Sequence, residues 1–520
     1  MKESKIGYVV LVSLIVALGG FLMGFDASVI SGVVKFIEPE FDLSKLELGW
    51  AVSSLTLTAT LAMLIAGPLS NKFGRKKILT CAAVLYAISA IGSALAPSFI
   101  LLVLARMIGG FGVGASLIIA PMYIAEIAPP KIRGTMVSFN QLNIVIGISV
   151  AFITNYLILN LGQSEAAWAH VLKFDQYNWR WMLGLEVVPA LIYFFSLFIV
   201  PRSPRWLIMK GNYTEAFKTL KKVMGEKAAE QDILAIKESI QLDSTKRRSR
   251  LKDIFNPALK TVLVIGLVLA VLQQITGINS VFFYAPMIFE QSGIGTNAAF
   301  SQAIYVGLVN LVFTIIAMFL IDKFGRKPLL IIGMTGIAIS MFVLAYGFNS
   351  ATYSLTEKSI SELPKEIGRQ ELGGLTNVVF SSDTEFKKVL IESIGEPVYK
   401  TFEAEILKSA TSLNSNLILF GILSFVASFA ISIGPVMWVL FSELFPNTIR
   451  AVAISFVGFV NSVISFLVQL IFPWELATIG NSMTFMLYGI FGVIGLIFII
   501  MKVPETKGKT LEELEKILVH

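Results

Sequence analysis

The chain has 520 residues, of which 55% are hydrophobic and only 15% are charged, and its mean hydropathy is +0.76. A soluble protein of this size carries about 25% charged residues, so the composition argues against a soluble enzyme or binding module. The net charge of +7 does not indicate nucleic-acid binding, because the basic residues are concentrated in short segments between apolar runs.

Apolar runs of roughly 20 residues recur along the chain, and each is long enough to cross a bilayer as a helix. Backbone groups in lipid must be satisfied within the chain, so helices are the predicted structure of these runs. The twelve predicted spans are residues 8–30, 48–70, 78–97, 99–123, 134–159, 180–200, 261–290, 301–321, 328–348, 415–441, 450–473 and 482–501. We therefore predict an all-α polytopic membrane protein.

Basic residues follow the second, fourth, sixth and eighth predicted spans, for example at Lys72, Lys131 and Lys323. These loops lie on one side of the membrane if the spans alternate in direction. The positive-inside rule predicts that this side is cytoplasmic, with both termini on it.

A carboxylate, Asp26, lies within the first predicted span. A charge at the centre of a bilayer costs about 2.5–3.5 kcal/mol, so an intramembrane carboxylate suggests a function. The expected partner is Arg106 in the fourth span. That span also carries Gly110 and Gly114 in a GxxxG arrangement, which predicts close helix packing rather than a nucleotide loop.

Two motifs occur once in each half of the chain. NKFGRKK begins at Asn71 and DKFGRKP at Asp322, an offset of 251 residues. EIAPPKIR begins at Glu126 and ELFPNTIR at Glu443, an offset of 317 residues. The 66 additional residues match a long polar stretch between the ninth and tenth spans, which alternation of the spans places outside the cell.

This repetition predicts two six-helix halves with a binding site between them at the midplane of the membrane. The predicted organisation is an N-terminal half at 1–200, a cytoplasmic helical linker at 201–260, a C-terminal half at 261–501 with an insertion at 349–413, and a cytoplasmic tail at 502–520. The insertion could be a lid, a partner surface or an elaboration without function, and the sequence does not distinguish these roles.

The chain resembles the sugar porters of the major facilitator superfamily, which include bacterial proton-coupled xylose, arabinose and galactose symporters and animal glucose facilitators. The residues that carry the resemblance are NKFGRKK, RMIGGFGVG, PMYIAEIAPPKIRG, PRSPRW, QQITGIN, DKFGRKP, GPVMWVLFSELFP and PETKGKT. The resemblance implies a monomeric transporter of a hexose or pentose in a plasma membrane, most simply a bacterial inner membrane. It implies no enzymatic activity, cofactor, metal or nucleic-acid partner.

The resemblance also implies a sugar site built mainly from uncharged polar side chains. Amides offer both donors and acceptors, as the hydroxyls of a neutral sugar require, and an indole ring can lie against the sugar's apolar face. The implied sugar-binding residues are Gln141, Gln273, Gln274, Asn279, Tyr284, Asn310, Trp438 and Asn461. The alternative is that these amides only connect helices.

Charged residues at the cytoplasmic ends of the spans resemble the family's gating salt bridges. Arginine pairs bidentately with carboxylates, so it suits such contacts. The expected gating residues are Arg75, Glu126, Arg133, Arg205, Asp322, Arg326, Glu443, Arg450 and Glu505. Ordinary loop charges that only set the topology are the alternative.

The family pairs the positions of Asp26 and Arg106 in its proton symporters, whereas its facilitators commonly have a neutral residue at the first position. The expected function is therefore proton-coupled symport of a monosaccharide by alternating access, with Asp26 as the proton site. The alternatives are a facilitative uniporter, in which the pair is a static ion pair, and a non-transporting sugar sensor.

Overall fold

Long apolar helices dominate the computed structural model, which describes residues 3–245, 250–446, 448–509 and 513–514, without the side chains of 3–5, 242–245 and 322. The side chain of the predicted gating residue Asp322 and most of the predicted tail beyond residue 509 therefore lie outside what is described. Eleven helical stretches of the described chain are long and apolar enough to cross a membrane.

The N-terminal helices are α1 (Glu3–Glu40), α2 (Lys45–Phe73), α3 (Arg75–Ala94), α4 (Phe99–Ile127), α5 (Arg133–Gly162), α6 (Ala167–Val171), α7 (Asn178–Gly184) and α8 (Val187–Ser196). The linker contains α9 (Pro204–Met209), α10 (Tyr213–Met224) and α11 (Glu226–Thr245). The remaining helices are α12 (Lys260–Ile275), α13 (Ile278–Glu290), α14 (Thr296–Phe324), α15 (Arg326–Asn349), α16 (Glu357–Glu362), α17 (Asp383–Ile394), α18 (Glu396–Ala410), α19 (Ser415–Ile431), α20 (Ile433–Leu444), α21 (Arg450–Thr478) and α22 (Asn481–Lys502).

The sixth predicted span is two short helices, α7 and α8, rather than one long helix. Pro189 lies in the first turn of α8 and has no N–H to donate to the carbonyl of Leu185. The break therefore falls at Leu185 and Glu186. Counted as one interrupted span, α7 and α8 bring the eleven long helical stretches of the described chain to the twelve spans that the apolar runs predict.

Two other spans are also interrupted. Between α12 and α13, Gly277 has a φ of +93°, which a residue with a side chain rarely adopts. Between α19 and α20, Ser432 departs from helical geometry two residues before Gly434 and Pro435. Such breaks expose backbone groups at membrane depth, which is typical of transporter binding sites.

The predicted close packing at the GxxxG sequence is confirmed. A Cβ atom on Gly110 would lie 2.3 Å from the carbonyl oxygen of Leu55, and one on Gly114 would lie 2.2 Å from that of Ala59. Helices α2 and α4 therefore approach each other too closely for any larger residue at these two positions.

The described chain divides into two compact units. Unit 1 contains Met1–Ser28, Ser54–Ala151 and Arg180–Ser249, and unit 2 contains Val29–Ser53, Phe152–Trp179 and Arg250–His520. One end each of α1, α2 and α5 is thus grouped with the C-terminal spans.

The insertion between α15 and α19 has a hydrophobic core of its own. Its sheet has the order β2-β1-β3, formed by β1 (Thr352–Ser354), β2 (Val379–Phe380) and β3 (Thr411–Ser412). Leu372, Phe386 and Leu407 are among the buried residues that pack between this sheet and helices α16 to α18. We call the membrane-helix ends near this insertion the insertion-side ends, and the opposite ends of the membrane helices the linker-side ends.

Candidate functional site

A buried ion pair connects α1 and α4 in unit 1. Arg106 Nη1 donates to Asp26 Oδ1 at 3.3 Å, and each residue is only 1% exposed. The pairing that the sequence predicts is therefore confirmed. Small neighbours make room for it, since a Cβ atom on Gly109 would lie 3.1 Å from Asp26 Oδ2. That oxygen has no hydrogen-bond partner among the described residues.

A second carboxylate, Glu186, belongs to the same charged cluster. It is 2% exposed, lies at the break between α7 and α8, and interacts electrostatically with both Asp26 and Arg106. Sequence analysis did not identify this residue. The signal was nevertheless present, because Glu186 is an acidic residue within a predicted span, as Asp26 is.

Unit 2 contains a network of hydrogen-bonded amides. Gln274 Nε2 donates to Asn461 Oδ1 at 3.1 Å, and Asn461 Nδ2 donates to Gln273 Oε1 at 2.8 Å. Asn279 Nδ2 donates to Gln274 Oε1 at 2.7 Å and to Ser465 Oγ at 2.6 Å. Four of the predicted sugar-binding residues are thus brought together by direct side-chain contacts.

The helix breaks position this network. The turn at Gly277 brings Asn279, at the start of α13, back towards Gln274 at the end of α12. At the second break, the carbonyl oxygens of Ile433 and Gly434 accept hydrogen bonds from Gln273 Nε2, each at 3.3 Å. Both spans would lack these contacts if they were continuous helices.

The network extends along one face of α21. Gln469 Nε2 donates to Ser465 Oγ at 2.8 Å, and the backbone carbonyl of Gln469 accepts from Tyr284 Oη, also at 2.8 Å. Tyr284 was a predicted sugar-binding residue, whereas Ser465 and Gln469 were not. Residues 461, 465 and 469 are four apart, a spacing that places them on one helix face and could have identified the two missed residues.

A tyrosine of α22 supports the break at Gly277. A Cβ atom on Gly277 would lie 2.4 Å from the ring of Tyr488. Tyr488 Oη donates to Glu475 Oε2 at 2.8 Å and lies 3.3 Å from Ser280 Oγ. Glu475 and Tyr488 are therefore a support for the network that the sequence motifs did not indicate.

Three predicted sugar-binding residues lie outside this network. Asn310 is buried on α14, and Trp438 on α20 is 46% exposed, with its ring in edge contact with Phe441. Gln141 is an exposed residue of α5 in unit 1. In the described part of the chain, no three His, Cys, Asp or Glu side chains are grouped as metal ligands.

Comparison with known proteins identifies the family. The model of the family described as sugar (and other) transporter matches residues 12–363 and 398–518. The arabinose-proton symporter of Bacillus subtilis is 34% identical over 100% of this chain and 97% of its own length. The D-xylose-proton symporter of Escherichia coli K12 is 36% identical over 98% of this chain and 95% of its own length.

The chain belongs to the sugar transporter family. Its fold agrees with a solved relative, the inward open conformation of the xylose transporter XylE from E. coli. That structure has a TM-score of 0.74 and 34% identity, and the match covers 98% of this chain and 100% of XylE. The protein is thus a multi-pass membrane sugar transporter of the major facilitator superfamily and not an enzyme.

At the linker-side ends, the transporter has an arginine–glutamate pair in unit 1. Arg75 Nη2 donates to Glu126 Oε1 at 2.9 Å and Nε donates to Oε2 at 3.0 Å, so the contact is bidentate. Ser203 also donates to Glu126. Arg133 instead donates to the Ala128 carbonyl at 3.3 Å, which closes the turn between α4 and α5.

Unit 2 repeats this arrangement. Arg326 Nη2 donates to Glu443 Oε1 at 2.8 Å, and Arg450 donates to the Phe445 carbonyl at 3.0 Å. Thr506 Oγ1 donates to Glu443 Oε2 at 2.6 Å, in the place that Ser203 takes in unit 1. The duplicated sequence motifs therefore fold into the same local structure twice.

Three predicted gating residues remain, and the side chains of two of them, Glu505 and Arg205, are described. Glu505 accepts the backbone N–H groups of Arg326 and Lys327, both at 3.1 Å, at the N-terminus of α15. A carboxylate is favourable there because the first N–H groups of a helix lack partners within it. Arg205 is a partly exposed residue of α9.

Proposed function

We propose that this sugar transporter couples the uptake of a monosaccharide to the inward movement of a proton. The observation that carries the proposal is Asp26, a carboxylate buried in a membrane helix with Arg106 at 3.3 Å. Its Oδ2 is unbonded among the described residues, so this oxygen can accept a proton without losing a hydrogen bond.

The net formal charge of the cluster explains how one bound proton can favour one conformation over another. Asp26, Glu186 and Arg106 together carry one net negative formal charge when all three are ionised, and a single proton brings the cluster to neutrality. An uncompensated charge in a medium of low dielectric constant is expensive. Binding of a proton on one side of the membrane therefore favours a conformation that buries the cluster. Access of water to the cluster from the other side then favours release of the proton.

The amide network of unit 2 is the proposed sugar site. Gln273, Gln274, Asn279 and Asn461 present donors and acceptors without a net charge, which suits the hydroxyl groups of a neutral sugar. We assign Gln141 and Asn310 as further polar contacts of the same sugar, and Trp438 as an aromatic platform for it. Tyr284 is assigned as a support of the network.

We place the linker and both termini in the cytoplasm and the insertion outside the cell, with the transporter in a bacterial inner membrane as a monomer. The halves at 1–200 and 261–501 would then alternate in opening to the two sides. The pairs Arg75–Glu126 and Arg326–Glu443 would act at the cytoplasmic gate, together with Arg133, Arg205, Asp322, Arg450 and Glu505.

Pentoses are the first sugars to test. The names of the two relatives refer to arabinose and D-xylose, both pentoses, and both names refer to a proton. One proton crossing 100 mV releases about 2.3 kcal/mol, and one pH unit adds about 1.4 kcal/mol. Together these support accumulation of a neutral sugar of up to a few hundredfold at a ratio of one proton to one sugar.

Reconstituted transporter in liposomes tests the proposal directly. Addition of arabinose or xylose should make the outer medium more alkaline, and Asp26→Asn should abolish this change while exchange of labelled sugar continues. Asp175→Asn is the matched control, because the side chain of Asp175 is exposed. Uptake by the unmodified transporter without proton movement would contradict proton coupling.

The second candidate is a facilitative uniporter with the same sugar site. The observation that favours it is the ion pair itself, since Arg106 already balances the charge of Asp26 in this conformation. A uniporter would equilibrate sugar without accumulation, and Asp26→Asn would leave the final internal concentration unchanged.

A further inference from the structure

Helix α18 of the insertion contacts the loop between α1 and α2 within unit 2. Lys400 Nζ lies 3.0 Å from Asp42 Oδ1, and the Lys400 side chain is only 8% exposed. Asp42 belongs to the short turn that joins the two membrane helices. This ion pair therefore links the insertion to the first two spans, which are far from it in sequence.

A second residue of α18, Glu403, is the centre of a group of buried contacts. Gln291 Nε2 donates to Glu403 Oε1 at 3.0 Å, and Tyr399 Oη donates to the same oxygen at 2.9 Å. Burial alone would raise the pKa of Glu403, but the charges of Lys387 and Lys45 and these hydrogen bonds outweigh it and lower the pKa to about 2. Glu403 is thus a stable anion that attracts Lys45 at the start of α2.

Further ion pairs join the insertion-side ends of the helices. Lys45 pairs with Glu38, which connects α2 to α1. Lys35 lies 2.7 Å from Glu290, which connects α1 to α13. The cavity that remains among these residues is only about 30 Å³, enough for about one water molecule. These charged side chains therefore nearly fill the space between α1, α2, α13 and α18, which we call the passage.

The insertion is joined to the C-terminal spans by hydrogen bonds and by the chain itself, unlike its ionic contact with the loop between α1 and α2. Asp383 at the start of α17 accepts the backbone N–H of Asn481 at 2.9 Å and its side-chain Nδ2 at 2.8 Å. Both ends of the insertion also continue directly into α15 and α19. Its contact with the loop between α1 and α2 is an ion pair, and the Asp42 side chain of this pair is 79% exposed, so water can solvate Asp42 again when the pair separates. The Lys400–Asp42 contact is therefore the one suited to repeated breaking.

We propose that α18 is part of the transport gate, in which Lys400 and Glu403 are positioning residues for α1 and α2. They hold the insertion-side ends of these helices while the passage is closed, and they release them when it opens. The insertion thus acts as a latch carried by the C-terminal spans. This inference rests on the alternation between two conformations in the proposed function, but not on proton coupling.

Reversible crosslinking tests the latch. In a Cys81→Ser background, which removes the chain's single cysteine, Asp42→Cys and Lys400→Cys are joined by a short bis-methanethiosulfonate reagent. We expect sugar uptake to fall at least tenfold and to return after reduction. Glu396→Cys with Lys400→Cys is the matched control, because that crosslink lies within α18. Uptake by the Asp42–Lys400 crosslinked protein at the uncrosslinked rate would overturn the proposal.

A second measurement does not require transport. Leu48 is fully buried and lines the small cavity, so Leu48→Cys in the Cys81→Ser background reports its opening to a charged methanethiosulfonate reagent. We expect Lys400→Gln to increase the labelling rate several-fold and Lys358→Gln, on exposed α16, to leave it unchanged. Equal labelling with and without Lys400→Gln would also overturn the proposal. A transporter that moves sugar without protons but shows both latch effects would contradict only the proposed coupling.

Discussion

The polar interiors of the two units differ in charge. Unit 1 buries two carboxylates and a guanidinium around Asp26, whereas unit 2 buries uncharged amides around Asn461. At the linker-side ends, in contrast, both units have the same arginine–glutamate pair and the same arginine–carbonyl contact. Duplication has therefore preserved the ends of the helices while the interiors diverged.

This difference has a physical basis. A group that exchanges a proton must change its charge, and a buried carboxylate beside a cation can do so at moderate cost. A neutral sugar needs many donors and acceptors in fixed positions, which amides supply without any charge to desolvate. The four predictions below test or refine this comparison, from the largest expected effect to the smallest.

Removal of the cation should have the largest effect on stability. Arg106→Met leaves two buried carboxylates without compensation, so we expect a loss of about 3–5 kcal/mol of unfolding free energy. Addition of Asp26→Asn to Arg106→Met should recover a large part of it. Denaturation of the detergent-solubilised variants measures this, and equal stability of Arg106→Met and the unmodified protein would contradict the charged character of the unit 1 site.

Replacement of an amide of the network by an apolar side chain should affect sugar binding more than stability. Asn461→Leu removes partners of Gln273 and Gln274, so we expect a loss of about 1–2 kcal/mol of unfolding free energy. The dissociation constant for sugar should rise at least tenfold, as loss of about 1.4 kcal/mol implies. Isothermal titration calorimetry measures the affinity, with Ser462→Ala as the control on the same helix. Unchanged affinity would remove unit 2 from the proposed sugar site.

Loss of the support behind the network should have a smaller effect. Tyr488→Phe keeps the ring against Gly277 but removes the hydrogen bonds to Glu475 and Ser280. We expect the sugar affinity to fall about fivefold, since a hydrogen bond contributes about 1 kcal/mol. Tyr346→Phe is the matched control, because Tyr346 is 69% exposed. Glu475→Gln, which keeps an acceptor for Tyr488, should retain most of the affinity.

The ion pairs of the insertion provide a third environment, in which charge is partly exposed to water. The pKa of Glu403 is about 2, below its ordinary value of 4.5. Glu403 therefore stabilises the insertion above pH 4.5, and this contribution is lost as the pH falls through 4.5 towards 2. Hydrogen exchange in α17 and α18, corrected for intrinsic rates, should be faster at pH 3 than at pH 6.

A Glu403→Gln variant is the control for this pH dependence. It cannot ionise, so the difference in corrected exchange between the two pH values should decrease. A difference as large as in the unmodified protein would mean that another group of the insertion titrates.

Most of the spans could be predicted from the sequence, because a bilayer requires a long apolar helix and the chain contains such runs. The sixth span shows the limit of that rule. Its apolar run predicts one helix, but Pro189 divides it into α7 and α8 and places Glu186 at the break. Hydropathy averages over a window and therefore does not locate a single missing hydrogen bond.

The candidate sites were partly predictable. The pairing of Asp26 with Arg106 followed from the rarity of charge within apolar spans, and Glu186 carried the same signal but was missed. Ser465 and Gln469 could have been found from their spacing with Asn461 on α21. The support of Gly277 by Tyr488 could not, because it joins helices that are more than 200 residues apart in the chain.

The sequence by itself determined that this chain crosses a membrane repeatedly, that its halves repeat, and that a carboxylate and a guanidinium lie within spans of its first half while amides recur in spans of its second half. These properties depend on composition and spacing along one chain. Only the tertiary structure decided which polar groups bond to each other, where helices break, and that α18 contacts the first two spans. Those outcomes depend on distances between helices, which no local pattern encodes.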